Sequence, residues 1–271
     1  MKTKVFWYSV FTVFSLLMLY PIIFAISNSF KTLSESLTTG LSLIPLVPTL
    51  ENYAALFQRL DVARIIFNTF FIAGTVTVFK LLTSIFAAYA LVFFDFKFKN
   101  VLYFILIATI FIPFTVTMIP NFLTISRLGL MDNPIGVILP QLADALGIFL
   151  MRQSMRMIPK SLIEYARLEK LGHLRIMKDI VVPLTKPAII STGIIFFINS
   201  WNEFVWPMLI LRANENYTLP LALQMFVSGE GGSDFTTIMA LAVISMVVPL
   251  ILFLIFQRHI IGTFVSSGVK G

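Results

Sequence analysis

The chain has no cysteine, only two histidines and few charges: 12% of its 271 residues are acidic or basic. Without cysteine there are no disulfides, no thiol nucleophile and no Cys-ligated zinc or iron–sulfur centre. His173 and His259 stand alone. Neither an H-E-x-x-H metal site nor a G-x-S-x-G nucleophile elbow occurs. No G-x-x-x-x-G-K-[ST] loop is present to cradle ATP phosphates, and the glycines of "SGEGGSDF" lack dinucleotide-binding spacing. The sequence therefore predicts no catalytic residue, no metal and no cofactor bound by this chain.

What the chain has in excess is apolar surface: 58% hydrophobic residues, 28 phenylalanines and a mean hydropathy of +0.93. A water-soluble core does not absorb that much, so the bilayer is the solvent for much of it. Six apolar runs approach the roughly 20 residues that span a membrane as a helix. Val5–Ile26, Val101–Ile119 and Phe235–Phe256 are free of charge; Ile65–Phe94, Ile135–Met151 and Ala188–Leu211 contain Lys80, Asp144 and Glu203. The first run is longer than a signal-peptide core and ends in "SNSFK" without a small-x-small cleavage site, so it reads as a retained helix. Pro21, Pro113, Pro140 and Pro249 fall inside runs, where neighbouring helices can satisfy the freed carbonyls. The fold predicted is an all-α integral membrane protein of six transmembrane helices, a single membrane domain over 1–271.

The net charge of +7 reads through the positive-inside rule rather than as a nucleic-acid footprint, because the basic residues are scattered between spans. One side receives Lys2, Lys4, Lys97, Lys99, Arg152, Arg156, Lys160, Arg167, Lys170, Arg175, Lys178, Lys186, Arg258 and Lys270. The other receives only Lys31, Arg59, Arg64, Arg127 and Arg212. Both termini are thus expected in the cytoplasm. On the outer side, "LIPLVPTLENYAALF" predicts an extended piece and a short helix capped near Thr49 or Asn52, and Asn121–Met131 a short interfacial helix.

The basic side holds a charged island, "SLIEYARLEKLGHLRIMKDIVVPLTKP", over 161–187. Ser161 and Glu164 have capping-box spacing after Pro159, which predicts a first short helix that Gly172 can end. His173–Val182 makes a second amphipathic piece with Leu174, Ile176, Met177, Ile180 and Val181 available for burial, and Pro183 and Pro187 are expected to break it. A solvated loop, an amphipathic helix on anionic lipid and a protein-docking element all fit this pattern. The alternation of apolar residues with charges of both signs suits docking best.

The island resembles the "EAA" loop of permease subunits in binding-protein-dependent ABC importers. That pattern has Glu-Ala-Ala, a Gly six positions after the Glu, and Ile-x-Leu-Pro sixteen positions after it; here stand Glu164, Tyr165, Ala166, Lys170 and Ile180-Val181-Val182-Pro183. Tyr165 and Lys170 depart from it, and the turn has either slipped to Gly172 or kept its place with altered docking. "WNEFVWPML" with "YTLPLAL", "ENYAALF", Asn68-Thr69 and "SFK" also resemble the sugar and glycerol-phosphate branch, similar to the smaller maltose-type permease, so the likeness runs along nearly the whole chain.

The resemblance implies a type I ABC importer permease fold with its core over 65–258. It implies alternating access for a carbohydrate, with glycerol phosphate as the alternative, in a prokaryotic inner membrane. The implied partners are a second permease subunit, a cytoplasmic ATPase dimer that binds ATP and Mg, an extracytoplasmic solute-binding protein and membrane lipid. The island becomes the ATPase-coupling element. Glu164 would pair with a base on the ATPase, its capping role staying open; Tyr165, Ala166, Leu168, Leu171, Gly172 and Pro183 complete the coupling set. Ala166 would permit close approach, with Leu168 and Leu171 filling the groove.

Polar residues within spans are costly and so are candidates for function. Asn199, Asn202 and Glu203 have the i, i+3, i+4 spacing of one helical face, and Gln141 with Asp144 the i, i+3 spacing of another. Lining a sugar path and joining helices or subunits are both open to them. Lys80 is expected to face protein or a wet cavity and to pair with an acid. A self-sufficient secondary transporter would show internal repeats and more buried charge at the midplane, and the sequence has neither.

Overall fold

The computed structural model describes residues 2–229 and 234–268, with side chains placed over 4–228 and 234–257. The glycine-rich stretch at 230–233 and the side chains of Lys2, Arg258 and Lys270 lie outside the described residues. Every regular element among those described is helical.

Helix α1 (Lys2–Ser29) turns the first apolar run into one rod with Pro21 inside it. It is nearly bare of contacts until its last turns, where Ala25, Ser27, Asn28 and Ser29 are buried. Two short helices follow, α2 (Leu33–Thr39), begun by Thr32 accepting the Glu35 amide, and α3 (Glu51–Arg59). Asn52 does not cap α3 but sits inside it. Its amide donates to the carbonyls of Ser29 and Lys31, both at 2.8 Å, and its Oδ1 accepts the Thr236 hydroxyl at 2.8 Å. Lys31, wholly buried, donates to Thr39 Oγ1 and the Ser42 carbonyl. "SFK" and "ENYAALF" are therefore parts of one polar network that ties α1 to the last helix.

Helix α4 (Val62–Phe93) begins at Asp61, whose carboxylate accepts the Arg64 amide, and runs unbroken past Lys80. The next two spans are not single helices. In the third, α5 (Lys99–Ala108) ends in a 3-10 turn, and α6 (Phe114–Arg127) leaves at 97° to it. Pro113, expected inside a helix, is the N-cap of α6, so it sits at the break and frees no interior carbonyl. The interfacial helix expected from Asn121 is the second half of α6. In the fourth, α7 (Pro134–Ile138) and a 3-10 turn carrying Pro140 meet α8 (Ala145–Met155) at 47°.

The island starts with α9 (Lys160–Leu168). After a turn, α10 (His173–Ile176), a π turn over Met177–Val181 and α11 (Val182–Trp201) run on as one 29-residue helix. The prolines expected to break it do not. Pro183 lies in the first turn of α11, and the wide turn before it absorbs the missing N–H. The fifth span stops at Trp201 and resumes as α12 (Val205–Ile210). Helix α13 (Leu219–Gly229) precedes the last span, α14 (Phe235–Gly268).

Among the described residues, four helices are long and apolar enough to cross a membrane alone, and the number is six with each bent pair taken as one span. Three apolar clusters hold them. At the island end, Ile85, Tyr89, Met151, Met155, Ile163, Ala166, Ile176 and Val181 join α4, α8, α9 and the island's second helix. At the opposite end, Ile72, Val76, Ile125, Trp206 and Ile210 form one core, and Leu56, Ile65, Trp201, Leu219 and Leu241 another.

Two polar joints finish that end. Asn68 donates to the carbonyls of Glu215 and Tyr217, while Thr69 accepts the Leu219 amide, fixing "YTLPL" to α4. Asp132, at φ 54°, accepts the amides of Arg212 and Ala213 and the Asn216 side chain. These donors, with the Arg212 charge, hold its carboxyl below the usual carboxylate range.

Proline 249 removes the N–H that would bond the Ser245 carbonyl inside α14. The Trp201 indole donates to that carbonyl at 3.1 Å. The first residue of "WNEF" thus satisfies a group that a proline has freed.

Candidate functional site

Helix α9 sorts its residues by face. Ile163 and Ala166 turn inward, 4% and 2% exposed, and Leu171 packs against the same cluster. Glu164, Tyr165 and Leu168 turn outward, the last 80% exposed. Ala166 and Leu171, expected at a partner surface, instead seat the helix on its own chain, because the i, i+3 spacing of Ile163 and Ala166 defines the face that meets α4 and α8. Ala166 still permits close approach, but within the molecule. Leu174, expected to be buried, is 74% exposed, as is Met157 at 79%. Tyr165, Leu168, Leu174 and Met157 are thus large apolar side chains that these residues leave uncovered, and Glu164 is exposed on the same helix as Tyr165 and Leu168.

The capping box does not form. Pro159 stands at the N-cap and no side chain caps α9. Glu164 makes no hydrogen bond or ion pair among the described residues, so its carboxylate is free to meet a partner.

The turn after α9 has not slipped. Lys170 takes φ 56°, its amide bonds the Arg167 carbonyl and the Leu171 amide the Ala166 carbonyl, the bond pattern of a Schellman cap. A left-handed lysine costs about 1 kcal/mol relative to glycine. Gly172, at φ −69°, is the N-cap of α10 and needs no glycine freedom. The turn therefore keeps its place six positions after Glu164, with lysine as its left-handed residue.

Two contacts that the sequence did not single out anchor this loop. Arg167 donates to the Phe93 carbonyl at 2.7 Å, at the end of α4. Tyr89 and His173 share a hydrogen bond of 3.0 Å, and Phe94 packs on the imidazole. A basic residue three positions after Glu164 was legible, but its distant carbonyl partner was not. These contacts tie α9 and the start of the helix that follows it to α4.

The polar residues within spans lie elsewhere than the helical spacing predicts. Asp144 is the N-cap of α8 and accepts the Gly147 amide at 3.0 Å, while Gln141 donates to the Val137 carbonyl. The two do not share a helical face, because the chain breaks between them. Thr83 donates to the Leu142 carbonyl within that break. Glu203 lies in the gap between α11 and α12, accepting the Val205 and Trp206 amides. Asn202 caps the end of α11 and donates to the Ile198 carbonyl. Asn199, Asn202 and Glu203 therefore do not form one face either. Asn199 and Asn202 are exposed on this chain.

Lys80 pairs with Asp144 at 3.4 Å and lies over the Phe196 ring. The two side chains are 15% and 26% exposed, so each neutralises a charge that would otherwise face the membrane interior. Lys80→Met is expected to destabilise the chain by about 2 kcal/mol, because Asp144 is left unpaired in a largely covered place. Adding Asp144→Asn, which keeps the cap, is expected to restore most of the loss. Equal, additive losses in a thermal-unfolding cycle would show that the two charges act separately.

Among the described residues no group of His, Asp and Glu could hold a metal ion. The model of the family described as binding-protein-dependent transport system inner membrane component matches residues 80–263. The chain is 33% identical to the arabinooligosaccharides transport system permease protein AraQ of Bacillus subtilis, over 96% of this chain and 94% of that one. It is 28% identical to the sn-glycerol-3-phosphate transport system permease protein UgpE of Brucella melitensis, over 92% and 91%. A crystal structure of a bacterial ABC transporter involved in the import of the acidic polysaccharide alginate superposes with a TM-score of 0.83 at 27% identity, covering 94% of this chain and 95% of that one.

Proposed function

The chain belongs to the family of binding-protein-dependent transport system inner membrane components, and on that premise we propose that it translocates a carbohydrate, an oligosaccharide or sugar derivative, through the inner membrane. The likeness to the arabinooligosaccharide permease along almost the whole chain carries this reading. The chain works as a permease subunit with a sister permease, and α1, nearly bare of contacts, supplies apolar surface for such a neighbour. Energy comes from a separate ATPase pair that binds ATP and Mg, and a solute-binding protein delivers the substrate on the opposite side. The island faces the cytoplasm, as the distribution of Lys and Arg favours, with both termini on that side.

The outward residues of α9 are the docking surface for the ATPase. Glu164 meets a basic residue, Tyr165 and Leu168 fill an apolar groove, and ATPase closure pulls on a helix already anchored to α4 and α11. Exposed Asn199 and Asn202 are the polar groups best placed to line a path shared with the sister subunit. Asp144, Glu203 and Gln141 act on this chain's own backbone and shape the broken spans.

The likeness to the glycerol-phosphate permease supports a second reading, import of a sugar phosphate. The assembled complex in lipid vesicles, given its binding protein loaded with arabinooligosaccharide or with glycerol 3-phosphate, distinguishes the two. Oligosaccharide is expected to accelerate ATP hydrolysis and accumulate inside. A response to glycerol 3-phosphate alone would replace the first reading with the second, and uptake without ATP hydrolysis would overturn both in favour of a secondary transporter.

A further inference from the structure

A cleft of about 670 Å³ opens between the end of α4, the start of α5 and the end of α8. Part of its lining is apolar, with Phe93, Phe96, Val101 and Ile158 among the residues. The lining also carries Lys99, Arg152, Arg156 and Lys160 against a single acid, Asp95, which pairs with Lys99 at 3.5 Å. Arg156 and Lys160 are exposed and meet no acid among the described residues. Arg152 stacks its guanidinium on Tyr103 at 3.8 Å, and its Nε is buried with no hydrogen-bond partner. Helix α5 starts in this cleft from Phe98 at φ 65°; the Lys99 amide bonds the Phe96 carbonyl and no side chain caps the amides that follow. Asp95 compensates Lys99 alone, and no acid among the described residues pairs with Arg152, Arg156 or Lys160.

We propose that this cleft holds the phosphate of an anionic phospholipid of the cytoplasmic leaflet. Phosphate oxygens accept from Arg156 and Lys160 and from the amides of Asn100 and Val101 at the start of α5, the Arg152 guanidinium adds its charge from beside Tyr103, and the acyl chains leave along the apolar part of the lining. A soluble anion satisfies the cations but leaves the apolar lining bare; an uncharged lipid does the reverse. Only an amphiphile with a net negative head fits both, and the negative inner surface of the membrane supplies one. The lipid would then brace the end of α4, from which Arg167 holds α9. The inference rests on the orientation proposed above, with the island in the cytoplasm.

The test is lipid retention by the purified complex. After equilibration with vesicles of equimolar phosphatidylglycerol and phosphatidylcholine, native mass spectrometry counts what stays bound. Wild type is expected to retain phosphatidylglycerol in preference, and Arg156→Gln with Lys160→Gln, both at exposed positions that folding does not need, to lose it by on the order of tenfold. Lys97→Gln, outside the cleft, is expected to retain it. Equal retention of phosphatidylcholine, no loss in the double variant, or an equal loss in Lys97→Gln would each overturn the proposal. Displacement by excess inorganic phosphate would assign the site to a soluble anion instead and overturn it too. Retention needs no substrate, so a complex that keeps the lipid yet imports no carbohydrate leaves this inference standing while the functional reading falls.

Discussion

Glu164→Arg is expected to leave this chain folded and in the membrane while cutting solute-stimulated ATP hydrolysis by at least about tenfold. The side chain faces outward and has no hydrogen bond or ion pair among the described residues, so its replacement disturbs no polar contact there. At an interface, losing one member of a close charge pair costs about 2–5 kcal/mol, and reversal adds repulsion to the loss. Leu168→Glu is expected to act in the same direction, since a large apolar side chain that this chain leaves 80% exposed would be replaced by a charge in a groove. Both effects are read as ATPase recovered with the purified permease and as ATP turnover per complex. Restoration by an acid placed at a basic position of the ATPase would identify the partner. Full coupling in both variants would remove the docking role from α9.

Gly147→Val is expected to be among the most destabilising single changes, by roughly 3 kcal/mol or more, because overpacking a dense core forces side chains and backbone apart. Gly147 lies where α8 crosses α4 and α11. A Cβ there would stand 2.4 Å from Ser84 Oγ and 2.5 Å from Phe196 Cζ, on two different helices. Gly147→Ala is expected to cost less, and Ser84→Ala with Phe196→Leu to rescue it, because those two side chains are what the new atom meets. Thermal unfolding of the purified chain, followed by size-exclusion recovery, measures each step. A tolerated valine would mean that α8 can withdraw from the crossing, and that these three helices do not move as one body.

The hydropathy of the sequence located the six membrane segments well, because the bilayer demands long apolar runs and composition records them directly. It did not locate the breaks. Pro113, Asp144 and Glu203 lie within apolar windows whose average hides the two or three residues at which a helix stops. The same averaging places these polar residues on continuous helical faces, whether as path liners or as joints between helices. Asp144 and Glu203 are instead caps of short helices, a role that depends on where the chain breaks. Pro183 and Pro187 misled in the opposite direction, since a π turn lets the helix run on. The island was legible as two short helical pieces, but the place of its turn, at Lys170 rather than Gly172, and the uncapped Glu164 were left open by the sequence. Which apolar residues face inward was not, because both Leu168 and Leu171 look equally suited to a groove until Ala166 fixes the face.

The bond between Trp201 and Ser245 has a mechanical consequence. Bending most helices means stretching their own ladder, and the resistance is spread over every turn on the convex side. In α14 the rung at Pro249 is already absent, and its carbonyl is tied sideways to the end of α11. The last span therefore has a compliant point at the height where the fifth span stops. A small displacement of Trp201 steers α14 there without breaking a rung of either helix, so the two spans can swing together on a built-in flexure.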